Sequence, residues 1–314
     1  MHGDGPCLFI VGMHRSGTSA TAGALAALGM AAPSGADRTS TTEWNERGNF
    51  ESKRLMAVND RLLSALGGTW SGPPDLEPGW ECDPALDDLR ARASRAFAQS
   101  FPRRPTAWKD PRSCLTLPFW RTVVTAPVAG VLVYRDPLEV ARSLERRDGV
   151  SLTYGLALWE RYVRSACAGL VGLPTMVTEY TGVLENPALW IDELVEFLRC
   201  LDVPVDAPAA RAAVSSLDAG LRQERQSPDG PSGLGDDQGE ILAVLRRLGG
   251  SHLAWKVPDL GPEPQWVKDV VALRRQTDLL RGQLADEVQM TRTSRAFRVV
   301  RFIGNLTRRP TVEP

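Results

Sequence analysis

Eight residues near the amino terminus, Gly12-Met13-His14-Arg15-Ser16-Gly17-Thr18-Ser19, have the makings of an anion-binding loop. They follow the apolar run Cys7–Val11 and precede small residues that read as a helix ended by Gly29. Backbone N–H groups at a strand-to-helix turn carry partial positive charge, and glycine lets that backbone approach an oxyanion closely. The spacing G-x-x-x-x-G is that of nucleotide-phosphate loops, but Thr18 stands where such loops carry lysine. A triphosphatase without that lysine loses its clamp on the terminal phosphates. Here the cation lies inside the loop, at Arg15. The competing role is a glycine-rich turn that binds nothing.

A second set is Tyr134-Arg135-Asp136-Pro137-Leu138-Glu139-Val140-Ala141-Arg142-Ser143. Arg135 follows the β-branched run Val128–Tyr134, the clearest strand in the chain. Asp136 as N-cap and Pro137 as first helical residue open a helix to about Arg147, which puts Ser143 two turns in. Both side chains can reach one phosphate beyond the strand end, where open α/β sheets bind ligands. The competing role for Arg135 is a surface ion pair with Asp136 or Glu139.

The two sets at this separation resemble the 5′-phosphosulfate loop and the 3′-phosphate motif of the sulfotransferase family that uses 3′-phosphoadenosine-5′-phosphosulfate (PAPS). The family's loop reads roughly P-K-S-G-T-T/S, here His14-Arg15-Ser16-Gly17-Thr18-Ser19, with arginine where many members have lysine. Its second motif is R-x-P with a serine eight residues after the arginine, here Arg135, Pro137 and Ser143. Tyr180 through Pro187 looks like the family's Y-E-D-L-L-x-x-P stretch, with Thr181-Gly182 in place of the acidic pair. Trp108-Lys109-Asp110-Pro111-Arg112 is similar to the K-D-P-R segment of bacterial and carbohydrate-type members. The resemblance covers roughly Leu8 to Gly250.

That resemblance implies a P-loop-like three-layer α/β fold with a central parallel sheet, and PAPS as co-substrate without a metal. It implies that Gly17, Thr18 and Ser19, with His14, Arg15 and Ser16, hold the 5′-phosphate, and that Arg135 and Ser143 hold the 3′-phosphate. Arg15 and Lys109 would neutralise charge developing on the sulfuryl and bridging oxygens. The chain departs from the members that act on small phenols and steroids. It lacks their K-x-H-x-P and R-K-G motifs, and its histidines are only His2, His14 and His252. A carboxylate base is therefore expected, and Glu51, placed after the loop as in several bacterial and carbohydrate-type members, is the first candidate. The alternative for Glu51 is an acid in a helix first turn, favourable to the helix dipole. Asp110 is the second candidate base, its alternative a helix cap or a salt bridge to Arg112. Arg222, in Leu221–Arg225, could replace the missing R-K-G contact, the alternative being a solvated helix end.

The elements that must position these residues alternate between strand and helix, as in a parallel sheet covered on both faces. Further strands are expected near Thr106–Lys109 and Thr175–Thr178. Helices are expected from about Phe50 to Leu66 with Asn49 as cap, near Pro84–Gln99, and after Asn186-Pro187. Gln226–Gly239 reads as a long loop. Pro258–Pro264 reads as the end of a domain spanning 1–258, followed by a helical tail over 259–314. In the tail Trp266, Val270, Leu273, Thr277, Leu280 and Leu284 fall on a coiled-coil seam. From Thr291 to Arg309, six arginines and no acid form a basic amphipathic pattern suited to an anionic lipid surface.

The 314 residues, 43% of them hydrophobic, suffice for a large core. A formal net charge of -1 excludes a polycation that grips nucleic acid by charge alone. Only Lys53, Lys109, Lys256 and Lys268 are lysines, and the remaining basic residues are arginines, which bind phosphate bidentately. Five scattered cysteines argue against a disulfide scaffold or a zinc site, and for buried free thiols in a reducing compartment. The expected setting is cytoplasmic, at most at the inner face of a membrane. The expected reaction is sulfuryl transfer to a hydroxyl of a carbohydrate, lipid-linked or natural-product acceptor, with a homodimer or a membrane contact through the tail. The alternatives are a nucleotide or small-molecule kinase and an inactive scaffold acting through the tail. Trp44, Trp70 and Trp80 lie in Gly/Pro-rich stretches where acceptor loops could sit.

Overall fold

The apolar runs of the sequence become the strands of one sheet in the computed structural model, which describes residues 5–39, 50–217 and 236–293. They are β1 (Cys7–Val11), β2 (Thr106–Lys109), β3 (Val128–Tyr134) and β4 (Thr175–Glu179), joined by β5 (Gly250–His252). The spatial order is β2-β1-β3-β4-β5. The first four are parallel, and β5 runs antiparallel to β4 at the edge. The expected parallel sheet is thus extended by an antiparallel edge strand. Its sequence, Gly250-Ser251-His252, has no apolar run to announce it.

Strand side chains alternate between two cores, as a sheet buried on both faces requires. Phe9, Val11, Trp108, Leu132 and Val177 face one side, and Leu8, Ile10, Ala107, Val131, Val133 and Met176 the other. The first core is covered by α2 (Lys53–Ala65), α3 (Asp87–Ser100), α4 (Ser113–Val123), α5 (Pro137–Asp148) and α6 (Leu152–Gly169). The second is covered by α1 (Thr18–Ala27), α7 (Tyr180–Glu185), α8 (Pro187–Cys200) and α9 (Ala207–Ser216). The result is a three-layer α/β domain. Register sets Lys109 beside Ile10, Leu132 beside Val11 and Glu179 beside Tyr134, so the carboxyl ends of four strands open along one edge.

Several boundaries differ from expectation. Helix α2 starts at Lys53, with Ser52 as its cap: the Ser52 hydroxyl accepts from Leu55 N at 3.1 Å. Ser52 itself is extended and bridges Arg38 in antiparallel fashion. Glu51 therefore precedes the helix and does not sit in its first turn. Asn49, the expected cap, lies outside the described residues, as do His2, Trp44 and Arg222. Asn186 gives α8 no side-chain cap. Residues 236–239, expected in a loop, already belong to α10 (Asp236–Arg247). All five cysteines are free, as expected, but Cys82 and Cys200 are exposed while the other three are buried.

The segment 258–264 is irregular but held down by α6. Arg164 donates to Leu260 O at 3.0 Å and Gly261 O at 2.7 Å, and Arg161 pairs with Glu263 at 2.6 Å. Helix α11 (Gln265–Thr293) follows, with Val267 and Val271 fully buried against Ala157 of α6. Of the expected seam, Trp266 and Val270 are half-buried, while Leu273, Leu280 and Leu284 face solvent. Residues from 294 onward, with most of the expected basic amphipathic stretch, lie outside the described residues. Among the described residues, no helix is long and apolar enough to cross a membrane.

Candidate active site

The loop between β1 and α1 has the close backbone approaches that only glycine permits. A Cβ on Gly12 would lie 2.2 Å from Val133 O and 2.9 Å from the Thr18 side chain. Gly17 has φ of 89°, and a Cβ there would lie 2.0 Å from the Tyr180 ring. Arg15 has φ of 70°, an uncommon backbone state for a residue with a side chain, and such states cluster at functional sites. Gly17→Ala is accordingly expected to destabilise the fold by at least about 1–2 kcal/mol, the left-handed cost alone, with the ring clash added. Thermal melting checks this, and an unchanged melting temperature would mean that the loop and Tyr180 can move apart freely.

The two sequence sets come together in space. Arg15 Nε donates to Ser143 Oγ at 2.8 Å, across 128 positions of chain. Arg135 Nη1 donates to the backbone oxygen of Arg15 at 3.2 Å. Asp136 fixes this placement by accepting from Leu138 N and Glu139 N at 3.0 and 3.1 Å, so α5 starts directly after Arg135. The ion pair weighed for Arg135 exists, with Nε 2.7 Å from Glu139 Oε2, but it is buried rather than at the surface. Thr18 opens α1 and is buried, and Ser19 follows it half-buried.

The surroundings are strongly positive. Burial lowers the Arg15 pKa, and the nearby charges of Arg147 and Arg135 lower it further. His14 is held well below the usual histidine range by burial, then by Arg112, Arg147, Lys109 and Arg15. Five cations thus converge on the loop: Arg15, Lys109, Arg112, Arg135 and Arg147. Two buried polar atoms, Ser16 Oγ and His14 Nε2, have no hydrogen-bond partner among the described residues. Such groups cost free energy unless something accepts or donates there. An oxyanion ligand fits both the charge and the open hydroxyl. Among the described residues, no group of His, Cys, Asp and Glu could hold a metal ion.

The depressed His14 pKa has a definite sign in stability. Below about 6.5, the ordinary value, the unfolded chain takes up a proton that folded His14 refuses. Stability should therefore fall as the pH drops below that value, and keep falling until the ring protonates in the folded protein. Histidine NMR titration should show His14 protonating well below the ordinary histidine value, whereas protonation near that value would contradict its placement.

Glu51 and Lys109 meet at the end of β2. Lys109 Nζ donates to Glu51 Oε1, and Thr39 Oγ1 donates to Glu51 Oε2 at 3.2 Å. Both residues are buried, and Lys109 is close enough to act on His14. Glu51 is positioned by its neighbour: Ser52 Oγ donates to Asp37 Oδ2 at 2.6 Å, as does Ser100 Oγ at 2.7 Å. Burial works against the Asp37 carboxylate, but these bonds and Arg54 win and lower its pKa. Asp110 sits differently. It is fully buried and accepts from Asn59 Nδ2 at 2.8 Å, Arg112 N at 3.0 Å and Arg112 Nη1 at 3.2 Å. These are the contacts of a cap and a salt bridge.

Arg147, Arg112 and Trp70 also stand at the loop. Arg147 lies one helical turn after Ser143 on α5, a spacing that could have marked it. Arg112 directly precedes α4 and pairs with Asp60 at 2.7 Å as well as with Asp110. Trp70, expected in a stretch where an acceptor loop could sit, packs on the phosphate loop. Its ring lies 4.7 Å from that of His14, centroid to centroid, and Tyr162 Oη donates to its backbone oxygen at 2.7 Å. The other expected positions are accounted for differently: Trp80 is in a short 3₁₀ turn, and His252 bonds Leu248 O at 2.8 Å beside Trp255.

No protein-family model matches the chain, and no curated protein sequence matches it. Solved structures do. The sulfotransferase domain of the Synechococcus PCC 7002 olefin synthase is 16% identical, covers 79% of this chain and 96% of its own, and gives a TM-score of 0.44. The sulfotransferase domain from the curacin biosynthetic pathway is 14% identical over 82% of this chain and 100% of its own, with a TM-score of 0.47. Sulfotransferase STF9 from Mycobacterium avium is 13% identical over 78% and 75%, with a TM-score of 0.39. In chain path, this protein is distantly similar to these three sulfotransferase structures.

Proposed function

We propose that the protein transfers a sulfuryl group from PAPS to a hydroxyl of an acceptor. The observation that carries this reading is the joining of Arg15, Arg135 and Ser143 at the carboxyl edge of the sheet, in a loop with no Walker lysine. A donor with phosphates at both the 5′ and 3′ positions needs two anion sites close together. The loop backbone with Ser16, Gly17, Thr18 and Ser19 serves the 5′ end. Arg135 and Ser143 serve the 3′ end.

In the reaction the acceptor oxygen forms a bond to sulfur as the bond from sulfur to the 5′-phosphate oxygen breaks. The acceptor proton passes to Glu51, and 3′-phosphoadenosine-5′-phosphate leaves. Little covalent work falls to the protein, so positioning and charge stabilisation dominate. Lys109 spreads positive charge towards the leaving oxygen, and Arg15 adds to it. As Glu51 is protonated it releases Lys109, so base and cation are coupled through one ion pair. Incubating the protein and PAPS with small-molecule extracts, then searching by mass spectrometry for compounds that gain SO₃, tests the reading. The expected result is at least one product that depends on both protein and PAPS. A protein that consumes Mg-ATP and yields phosphorylated products would replace the reading with a kinase.

A further inference from the structure

The segment 69–75 is gripped from two sides. On one side, Tyr162 Oη of α6 donates to Trp70 O at 2.7 Å, and Tyr154 Oη donates to Ser71 O. On the other stands α11, which meets Thr69 across 209 positions of chain. Asp278 Oδ2 accepts from Thr69 Oγ1 at 3.0 Å and from Ser71 Oγ at 2.6 Å, while Asp278 Oδ1 pairs with Arg274 at 2.9 Å. Arg275 donates to Pro73 O at 3.1 Å and to Asp75 at 2.7 Å, and Arg161 of α6 holds the same carboxylate at 2.9 Å. We propose that α11 is a strap on the phosphate loop, and that Asp278 is a positioning residue acting through Thr69, Ser71 and Trp70 on His14.

The path from Asp278 to the loop has few links. Asp278 binds the residues on both sides of Trp70, and the Trp70 ring packs on His14 at 4.7 Å. Thr69 Oγ1 also accepts from Gly72 N at 2.8 Å, and Thr69 N donates to Gly72 O at 3.0 Å, so 69–72 is a closed turn that moves as one piece. That turn has no slack against the helix. A Cβ on Gly72 would lie 2.4 Å from the Arg275 Cα, so the two backbones touch with no side chain between them. Trp70 also reaches one of the loop's cations, since the Arg147 guanidinium lies 5.8 Å from its ring.

Two kinds of contact divide the labour along α11. Val267 and Val271, near its start, are buried against Ala157 and dock the helix on α6 by apolar packing. Arg275 and Asp278 come one and two turns later and make polar contacts to 69–75 instead. From Leu279 to Thr291 every residue of the helix is exposed, so the docked part ends at Asp278. Apolar docking alone would hold the helix to the domain. The polar grip adds direction, because hydrogen bonds to Thr69 and Ser71 fix where Trp70 sits, and through it the ring of His14. Burial is the first cause of the low His14 pKa, ahead of Arg112, Arg147, Lys109 and Arg15. Releasing Trp70 admits water to that ring, and its pKa should then rise towards the ordinary value.

The experiment compares Asp278→Ala with Val267→Ala in the full chain. Alanine keeps the helix in both, and only the first substitution cuts the grip on 69–75. Three quantities are measured: melting temperature, the NMR titration of His14, and calorimetric affinity for 3′-phosphoadenosine-5′-phosphate. Asp278→Ala should raise the His14 pKa and weaken the nucleotide about three- to ten-fold, the scale of coupling within one hydrogen-bond network. Val267→Ala should lower the melting temperature and move neither of the other two. Thr69→Val removes one bond of the grip from the opposite side, and should shift His14 and the nucleotide in the same direction if Asp278→Ala folds poorly. An unmoved His14 in Asp278→Ala and Thr69→Val, or an equal shift in Val267→Ala, would overturn the proposal. So would unchanged nucleotide affinity beside a shifted His14. The nucleotide measurement rests on the sulfuryl-transfer reading and the His14 measurement does not. If the wild type fails to bind the nucleotide, that reading falls and His14 alone decides whether α11 straps the loop.

Discussion

Glu51→Gln is expected to lower turnover by about 10²–10⁴-fold, the usual weight of a general base, while donor affinity stays unchanged. The amide keeps the shape of the side chain, and its oxygen can still accept from Thr39. What it cannot do is take the acceptor proton. The nucleotide contacts proposed above lie elsewhere, in the loop and on Arg135 and Ser143. The substitution also strips buried Lys109 of its partner carboxylate, and breaking one side of a buried ion pair destabilises by about 3–5 kcal/mol. The rate measurement should therefore be made well below the variant's melting temperature. Near-normal turnover would remove Glu51 as base. Asp110→Asn provides the contrast: with its carboxylate committed to Asn59 and Arg112, it should lose stability more than turnover.

Arg135→Ala should weaken 3′-phosphoadenosine-5′-phosphate by roughly 1.5–3 kcal/mol, the value of a charge-assisted phosphate contact, or about 10–150-fold in affinity. Ser143→Ala should cost less, about 0.5–1.5 kcal/mol, since its hydroxyl is neutral. Arg135 has a second task, because it holds the Arg15 backbone oxygen and shapes the loop. A ligand lacking the 3′-phosphate separates the two. If Arg135 reads the 3′-phosphate, adenosine-5′-phosphosulfate should lose much less affinity than the 3′-phosphorylated nucleotide in calorimetric titration. Equal losses for both would make Arg135 a loop support only, and no loss for either would remove it from the site.

Much of this site is legible in the residues themselves. β1 and β3 announce themselves as apolar runs, β2 and β4 fall where the strand-helix alternation puts them, and the Asp136-Pro137 pair marks the start of α5 to the residue. The loop is readable because glycine spacing between a strand and a helix has few other uses. What escapes is whatever depends on distant packing. β5 is three residues of Gly, Ser and His, ordered by pairing with β4 rather than by any preference of its own. The cap of α2 falls on Ser52 rather than on Asn49, because Asp37 and Ser100 anchor the Ser52 hydroxyl from 15 and 48 positions away. Trp70 and Arg147 reach His14 only because α5 and the segment after α2 meet above the loop. Helix α11 carries a heptad pattern, yet its firmest contacts are made by Val267 and Val271, off that seam, against α6.

The central claim is that the loop, Arg135 and Ser143 bind a nucleotide phosphorylated at both the 5′ and 3′ positions. Thermal melting of the full chain with 3′-phosphoadenosine-5′-phosphate, compared with Mg-ATP, tests it most directly. Ligand at about 100 times its dissociation constant stabilises a folded protein by about 2.7 kcal/mol, enough to raise the melting temperature by several degrees. The expected result is a concentration-dependent rise with 3′-phosphoadenosine-5′-phosphate and none with Mg-ATP. A rise with Mg-ATP alone, or with neither nucleotide, would contradict it.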